Sequence, residues 1–270
     1  MLCLDVVQII CDFSDLETQI KLIRSCKEYD EYLKIRQLNC SLGKKITQEI
    51  IQQKKFDKLQ ILGAYNNNKI KDVTHLQNTL TELDCSGDCG IDQKGISNLT
   101  KLQILHANNN SKITDVNHLQ NTLIELDCYG DCVIDQKGIS NLTKLQKLNA
   151  NSNSKITDVN HLQNTLTELY CCGKCGIDQK GISNLKILQI LNAGHNNKIT
   201  DVNHLQNTLT ELYCWYNCGI DQRGISELKV LQKLDAYYNN KITDCMHFQK
   251  ISVTVKPFCK QGKSNTKHFI

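Results

Sequence analysis

The stretch "LQILHANNNSKITDVNHLQNTLIELDCYGDCVIDQKGISN" (102–141) holds two half-units. Both obey the same rule, Leu-x-x-Leu-x-small-x-x-polar-x-x-Ile, once through Leu102, Leu105, Ala107, Asn110 and Ile113 and again through Leu123, Leu126, Cys128, Asp131 and Ile134. The Leu-x-small part alternates with period two, which predicts a short strand whose Leu and small residues turn inward. Leu59, Leu102, Leu145, Leu188 and Leu231 open successive copies at a spacing of 43 residues. The small residue is Ala in one half-unit (Ala64, Ala107, Ala150, Ala193, Ala236) and Cys in the other (Cys85, Cys128, Cys171, Cys214). A degenerate earlier rung is visible at Ile35, Leu38, Cys40 and Ile46. Self-similarity at such a period means a stack of units, none able to bury its apolar edge alone.

The repeat decides how the 15 cysteines are read. Parallel strands lie about 4.8 Å apart, so Cys85 and Cys128, two rungs apart, are separated by roughly 10 Å. A disulfide needs Cα atoms within about 7 Å, and a shared zinc needs bonds of about 2.3 Å. An inward column of alternating Ala and Cys is therefore core packing. The second cysteine of each pair (Cys89, Cys132, Cys175, Cys218) falls beside the polar position, at the turn. Two ligands per rung make an incomplete metal site, so no metal and no cofactor are expected. His75, His118, His161, His204 and His247 recur on the outer return and read as surface or capping residues. Acidic residues recur at the solenoid period rather than gathering in a cleft, and no phosphate-binding glycine loop is present, so an enzyme is not expected.

Composition agrees. The chain has 270 residues, 40% apolar and 22% charged, with a net charge of +4. Lys and Arg are dispersed, which argues against a nucleic-acid surface. The start "MLCLDVVQIICDFSD" carries Asp5 and Asp12 and is too short for a membrane span or a signal peptide. The odd cysteine count points to a reducing, cytoplasmic location without a membrane partner.

A unit of about 21–22 residues with this spacing resembles the leucine-rich repeat over residues 35–250. The resemblance implies an α/β solenoid of about ten rungs over 35–255, in which Asn67, Asn110, Asn153, Asn196 and Asn239 form an asparagine ladder bonding neighbouring turns. It also implies that the variable positions after the second Leu point out of a concave sheet.

Those positions are where the copies differ. The outer segments "KITDVNHLQNT" and "IDQKGISNL" are nearly constant, whereas the variable positions run Asp84, Asp127, Tyr170, Tyr213, then Ser86, Tyr129, Cys172, Trp215, then Gly87, Gly130, Gly173, Tyr216. The Ala-type rungs add His106, His195, Tyr237 and Tyr238. Tyr and Trp bury much area while keeping a polar tip, so His106, Tyr129, Tyr170, His195, Tyr213, Trp215, Tyr216, Tyr237 and Tyr238 are the candidate face for a target protein. Recent duplication, with aromatics merely covering one another, is the plainer alternative. Basic residues are not interleaved among these aromatics, as stacking on nucleic acid would require.

Residues 1–34 leave the repeat. Val6, Ile9, Ile10 and Phe13, then Leu16, Ile20 and Ile23, are spaced for two helices with Ser14 or Asp15 as a cap between them. One reading is a helical cap over the first rung. The segment also resembles an F-box, through Leu2, Asp5, the aliphatics Val6 and Val7, Ile10 and Phe13, and the later "IKLIRSCKEY" (20–29). That resemblance implies docking on a host Skp1-like adaptor through Leu2, Asp5, Val6, Ile10, Phe13, Leu16, Ile20 and Ile23. The whole chain, rich in Asn, Ile and Lys, looks like the F-box and leucine-rich-repeat proteins of giant DNA viruses of amoebae. The function so implied is a monomeric substrate-recognition adaptor of a ubiquitin ligase; the alternative is a free-standing recognition module with a helical cap. At the other end "ISVTV" (251–255) alternates like a final edge strand, and residues 256–270 form a basic tail.

Overall fold

The computed structural model describes residues 4–38 and 46–244, together with the backbone of 252–254. Eleven strands form one parallel sheet in chain order: β1 (Gln37–Leu38), β2 (Ile61–Gly63), β3 (Glu82–Asp84), β4 (Ile104–His106), β5 (Glu125–Asp127), β6 (Lys147–Asn149), β7 (Glu168–Tyr170), β8 (Ile190–Asn192), β9 (Glu211–Tyr213), β10 (Lys233–Asp235) and β11 (Ser252–Thr254). The register never slips: Leu62 pairs with Leu83, Leu83 with Leu105, and so on to Leu234. From β2 to β10 the middle residue of each strand is a buried Leu, while its neighbours are only partly covered or exposed. The second inward position is the Ala or Cys column, buried in every rung from β2 to β10. β11 lies where the terminal alternation predicts an edge strand.

Each strand from β2 to β10 ends after three residues, and the backbone turns left-handed three residues after its end. That position is Gly87, Gly130 and Gly173 in three rungs, and Asn66, Asn109, Ser152, His195, Tyr216 and Tyr238 in six others. Gly and Asn adopt this conformation readily, whereas a bulky side chain pays roughly 1–2 kcal/mol for it. The chain then returns along the opposite side. In Cys-type rungs the return holds a one-turn helix, α5 (Gln93–Ile96), α6 (Gln136–Ile139) or α7 (Gln179–Ile182), whose capping Asp92, Asp135 or Asp178 accepts from the third amide at 2.9–3.0 Å. In Ala-type rungs the return is a tighter turn such as Asn117–Leu119, started by Asp115 accepting from Asn117 N at 2.7 Å.

The asparagine ladder is present. Asn153 Nδ2 donates to the Cys128 and Ile134 carbonyls at 3.1 Å, and its Oδ1 accepts from Lys155 N at 2.9 Å. Asn110, Asn196 and Asn239 repeat the arrangement. The cysteines beside that position are buried, as core packing requires: Cys85, Cys89, Cys128, Cys132, Cys171, Cys175, Cys214 and Cys218 are all free thiols inside the stack. The histidines are caps at the surface. His118, His161 and His204 place Nε2 at 3.0–3.1 Å from the Ile96, Ile139 and Ile182 carbonyls, which close α5, α6 and α7 of the preceding rung. His247 and Cys40 lie outside the described residues.

At the start, α1 (Leu4–Asp12), α2 (Leu16–Ile23) and α3 (Lys27–Tyr32) precede β1, the one-turn α4 (Gln48–Ile51) follows it, and Asp15 caps α2 by accepting from Thr18 N at 2.9 Å. Val7, Cys11, Ile23 and Leu33 join the solenoid core, so the helices share one apolar interior with the repeats. Gln8 fixes α1 by a two-way bond to the backbone of Lys34, accepting from its N at 2.8 Å and donating to its carbonyl at 2.9 Å.

Candidate functional site

With strands of three residues, only the two flanking side chains of each strand project from the sheet. The remaining candidate residues lie just beyond the strand ends, on the left-handed turn. This corrects the sequence-based placement: Tyr170 and Tyr213 end β7 and β9, and His106 ends β4, but Tyr129, His195, Trp215, Tyr216, Tyr237 and Tyr238 line the rim where the chain leaves the sheet. Ser86 and Cys172, in the same variable column, are buried rather than displayed.

Five of these residues form one cluster. The His195 and Tyr216 rings stack with centroids 4.7 Å apart and 9° between planes, and Tyr216 stacks on Tyr238 at 5.2 Å. Trp215 meets His195 edge-on at 5.0 Å, and Tyr237 meets Tyr238 at 4.4 Å. Because His195, Tyr216 and Tyr238 occupy the left-handed position of consecutive rungs, their rings repeat with the solenoid and stack. Edge-on and offset pairs of this kind contribute about 0.5–1.5 kcal/mol each beyond their burial. Tyr216 and Tyr238 are still about two-fifths exposed, so the stack remains open to a partner.

Beside it, Tyr213 donates to Glu211 Oε2 at 2.6 Å while Lys233 Nζ donates to Tyr213 Oη at 2.7 Å, a relay across β9 and β10. Burial, then the Glu211 bond, holds the Tyr213 phenol above its ordinary range. Tyr170 bonds Glu168 at 3.2 Å in the same manner. Tyr129 and His106 sit apart from the cluster, near Asp127, whose carboxylate raises the His106 imidazole above its usual value.

The N-terminal candidates divide. Val6, Ile9, Ile10 and Phe13 share an exposed apolar face, with Phe13 89% accessible. Asp5 instead accepts from the Tyr32 hydroxyl. Leu16 and Ile20 are partly covered against the core, and Ile23 is fully inside it, so Ile23 is unavailable for docking. Leu2 lies outside the described residues.

Sequence reasoning missed the glutamine clamps on the return side. Gln136 Oε1 accepts from Thr157 N and Asp158 N at 2.9 Å while its Nε2 donates to the Asp158 carbonyl at 2.8 Å, and Gln48, Gln93, Gln179 and Gln222 clamp the next rung likewise. The signal was the constancy of "DQKGIS", which a solvent-facing segment does not need. Among the described residues no group of three or more His, Cys, Asp or Glu side chains could hold a metal ion, and no helix is long and apolar enough to cross a membrane.

No protein-family profile matches the chain, and no curated protein sequence does. Solved structures do. The internalin InlF from Listeria monocytogenes is similar at 24% identity and a TM-score of 0.51, over 87% of this chain and 83% of that one. The functional domain of InlJ from the same bacterium, described as including a cysteine ladder, matches at 20% identity and 0.53, over 94% of this chain and 53% of its own. The Rad7–Elc1 complex of yeast matches at 15% identity and 0.59, over 96% of this chain and 76% of that one. At such identities the likeness is one of fold. With the 11-stranded sheet and the asparagine ladder, it makes this chain a leucine-rich-repeat solenoid preceded by a short helical segment.

Proposed function

We propose that the chain is a recognition adaptor, whose N-terminal helices dock on a Skp1-like subunit of a ubiquitin ligase while the aromatic rim holds a target protein. The observation that carries the reading is the double-sided character of α1. A helix serving only as a cap buries its apolar residues against the first rung. Here Val7 and Cys11 already do so, yet Val6, Ile9, Ile10 and Phe13 stand in solvent on the other side. Such an apolar face on a helix is the form in which helices enter partner grooves. The resemblance of residues 2–29 to an F-box names the partner, and an origin in a giant DNA virus would make that partner the host's. The similarity to Rad7, solved with Elc1 bound, agrees with a partner-binding role.

The aromatic stack supports the other half. Three consecutive rungs keep His195, Tyr216 and Tyr238 in a backbone conformation that Gly or Asn adopts at lower cost elsewhere in the array. Retained strain under exposed rings fits selection for a surface rather than for stability. The adaptor would supply proximity and specificity, leaving transfer chemistry to other subunits. A free-standing recognition module is the second reading, favoured by the burial of Val7, Cys11 and Ile23, which is what a plain cap would do.

The deciding experiment is calorimetric binding of the purified chain to Skp1, beside the double variant Val6→Asp, Ile10→Asp. Binding that vanishes in a folded double variant supports the adaptor; no binding by the folded parent chain leaves the recognition module.

A further inference from the structure

The rings of the rim stack offer their edges rather than their faces. Tyr216 lies between His195 of the preceding rung and Tyr238 of the following one, at 4.7 and 5.2 Å, so both of its faces are taken. What stays exposed of it is ring edge and hydroxyl. The edge is the positive part of an aromatic quadrupole and the face the negative part. A cation therefore finds no free face on Tyr216. A planar base would need a gap of about 7 Å between rings, two contacts of about 3.5 Å each. An anion meets the favourable side.

Beyond the rings, past the left-handed turn, the chain places lysines. Lys198 Nζ donates to the Cys175 carbonyl at 3.0 Å and Lys241 Nζ to the Cys218 carbonyl at 3.1 Å. Those carbonyls lie two residues past Gly173 and Tyr216, the left-handed residues of their rungs. Lys112 and Lys155 make the same bond in the earlier copies, to Cys89 and Cys132. The residue before the accepting cysteine is what differs: Asp88 and Asp131 in the first two copies, Lys174 and Asn217 in the next two. The carboxylate that accompanies each ammonium in the earlier copies is thus missing where the aromatic stack stands, and Lys174 adds a further cation. Lys174, Lys198 and Lys241 are exposed, and among the described residues none has a carboxylate within 4.0 Å. The acids on the adjoining strands are engaged by the tyrosines, Glu168 by Tyr170 and Glu211 by Tyr213.

We propose that this end of the rim binds an acidic segment of the target protein, with its carboxylates on Lys174, Lys198 and Lys241 and its apolar side chains against the rings. The proposal rests on the reading of the rim as the target-binding surface and names the charge its target must carry. Two changes among the copies, the gain of rings and the loss of the companion acids, fall in the same rungs and favour the same ligand. Charge complementarity of this kind decides which partner is accepted.

The test follows the emission of Trp215, the single Trp, in the full-length chain. The chain is titrated with an octapeptide alternating Glu and Leu, beside the Gln–Leu octapeptide and oligothymidylate. A saturable change with the Glu peptide is expected, unaltered in Lys112→Gln and weakened in Lys174→Asp. Reversing a charge beside a bound anion turns attraction into repulsion, so the loss should be about tenfold or more. Lys174→Asp installs the residue that the first two copies already carry at this position, so it preserves the turn. Equal binding of the Gln peptide overturns the charge requirement, and equal or tighter binding of oligothymidylate overturns the protein partner. Undiminished binding by Lys174→Asp, or no saturable change with the Glu peptide, overturns the site. None of these outcomes depends on Skp1, so this proposal and the docking of the N-terminal helices fail separately.

Discussion

Trp215 fills the space above Gly194: a Cβ placed on residue 194 would fall 2.2 Å from the indole ring. The equivalent position in the other Ala-type rungs holds Tyr65, Asn108, Asn151 and Tyr237, so a glycine stands only where a tryptophan follows one rung later. The backbone of Gly194 needs no left-handed angle, and its role is clearance. The aromatic cluster is thus built across rungs, with a small residue in one making room for a large one in the next.

Gly194→Ala is therefore expected to displace the indole and break the His195–Trp215 contact. The chain has a single Trp, so its fluorescence reports this site alone. A red-shifted emission with a stability loss of about 1–3 kcal/mol is expected, as for other overpacked sites. An unchanged spectrum would refute the packing.

Asn153→Ala should cost about 3 kcal/mol in urea unfolding, because it strands two carbonyls and one amide inside the stack. The exposed Asn121→Ala should change stability by no more than about 0.5 kcal/mol. Equal effects of the two would sink the ladder as a source of stability.

Acidification should weaken the fold. Burial lowers the His118, His161 and His204 imidazoles below the ordinary histidine value of about 6.5 despite their carbonyl bonds. The unfolded chain then binds more protons than the folded one, so their contribution is complete above about pH 6.5 and is lost as pH falls through the folded values. His106, raised by Asp127, acts in the opposite sense: its contribution is present below about pH 6.5 and fades as pH rises through its folded value. Three against one gives a net loss on acidification. Urea midpoints from pH 7.5 down to 5 should fall, and the triple His→Gln variant should flatten the slope.

Thiol chemistry offers a further check. Burial pushes Cys172 up to about 12 and Cys175 and Cys218 to about 11, whereas Cys26 is exposed. In a variant with Cys3, Cys40, Cys245 and Cys259 changed to Ser, a disulfide reagent should modify one thiol rapidly and the rest only on unfolding. Rapid modification of several thiols in the folded chain would contradict the buried column.

The stacking was legible because it rests on large, regular differences in hydrophobicity. Leu at the centre of β2 to β10 and Ala or Cys two residues on are forced by a narrow interior, and Asn110 or Asn153 recurs because its short carboxamide serves backbone donors and acceptors at once within that space. The rim was less legible. Period-two alternation continues in the letters past Asp84 and Tyr213, but the backbone leaves the strand there, and only the recurrence of Gly87, Gly130 and Gly173 hinted at the left-handed turn. Gln93 and Gln136 looked like solvated letters because a clamp across rungs has no local pattern. For α1 the helical phase was plain, whereas which of its two apolar faces meets the core depends on Gln8 finding the backbone of Lys34, a contact 26 residues away in the chain.

The clamps differ between the two kinds of joint. Asn110, Gln93 and His118 all tie a Cys-type rung to the Ala-type rung that follows it, and Asn153, Gln136 and His161 do the same one copy later. Across the other joint Asn117, in an Ala-type rung, donates to the Lys137 carbonyl and accepts from Asn141 N at 2.7 Å, and Asn160 and Asn203 act likewise. The pattern of clamps thus repeats with the 43-residue pair and not with the single rung. Unequal crossing-over that gained or lost one rung would set like beside like and leave a ladder asparagine facing a rung with no matching carbonyls. Gain or loss of a whole pair leaves every clamp intact. Such an array can lengthen or shorten its reading surface in steps of two strands, which lets a gene of this kind change the reach of its product without refolding it.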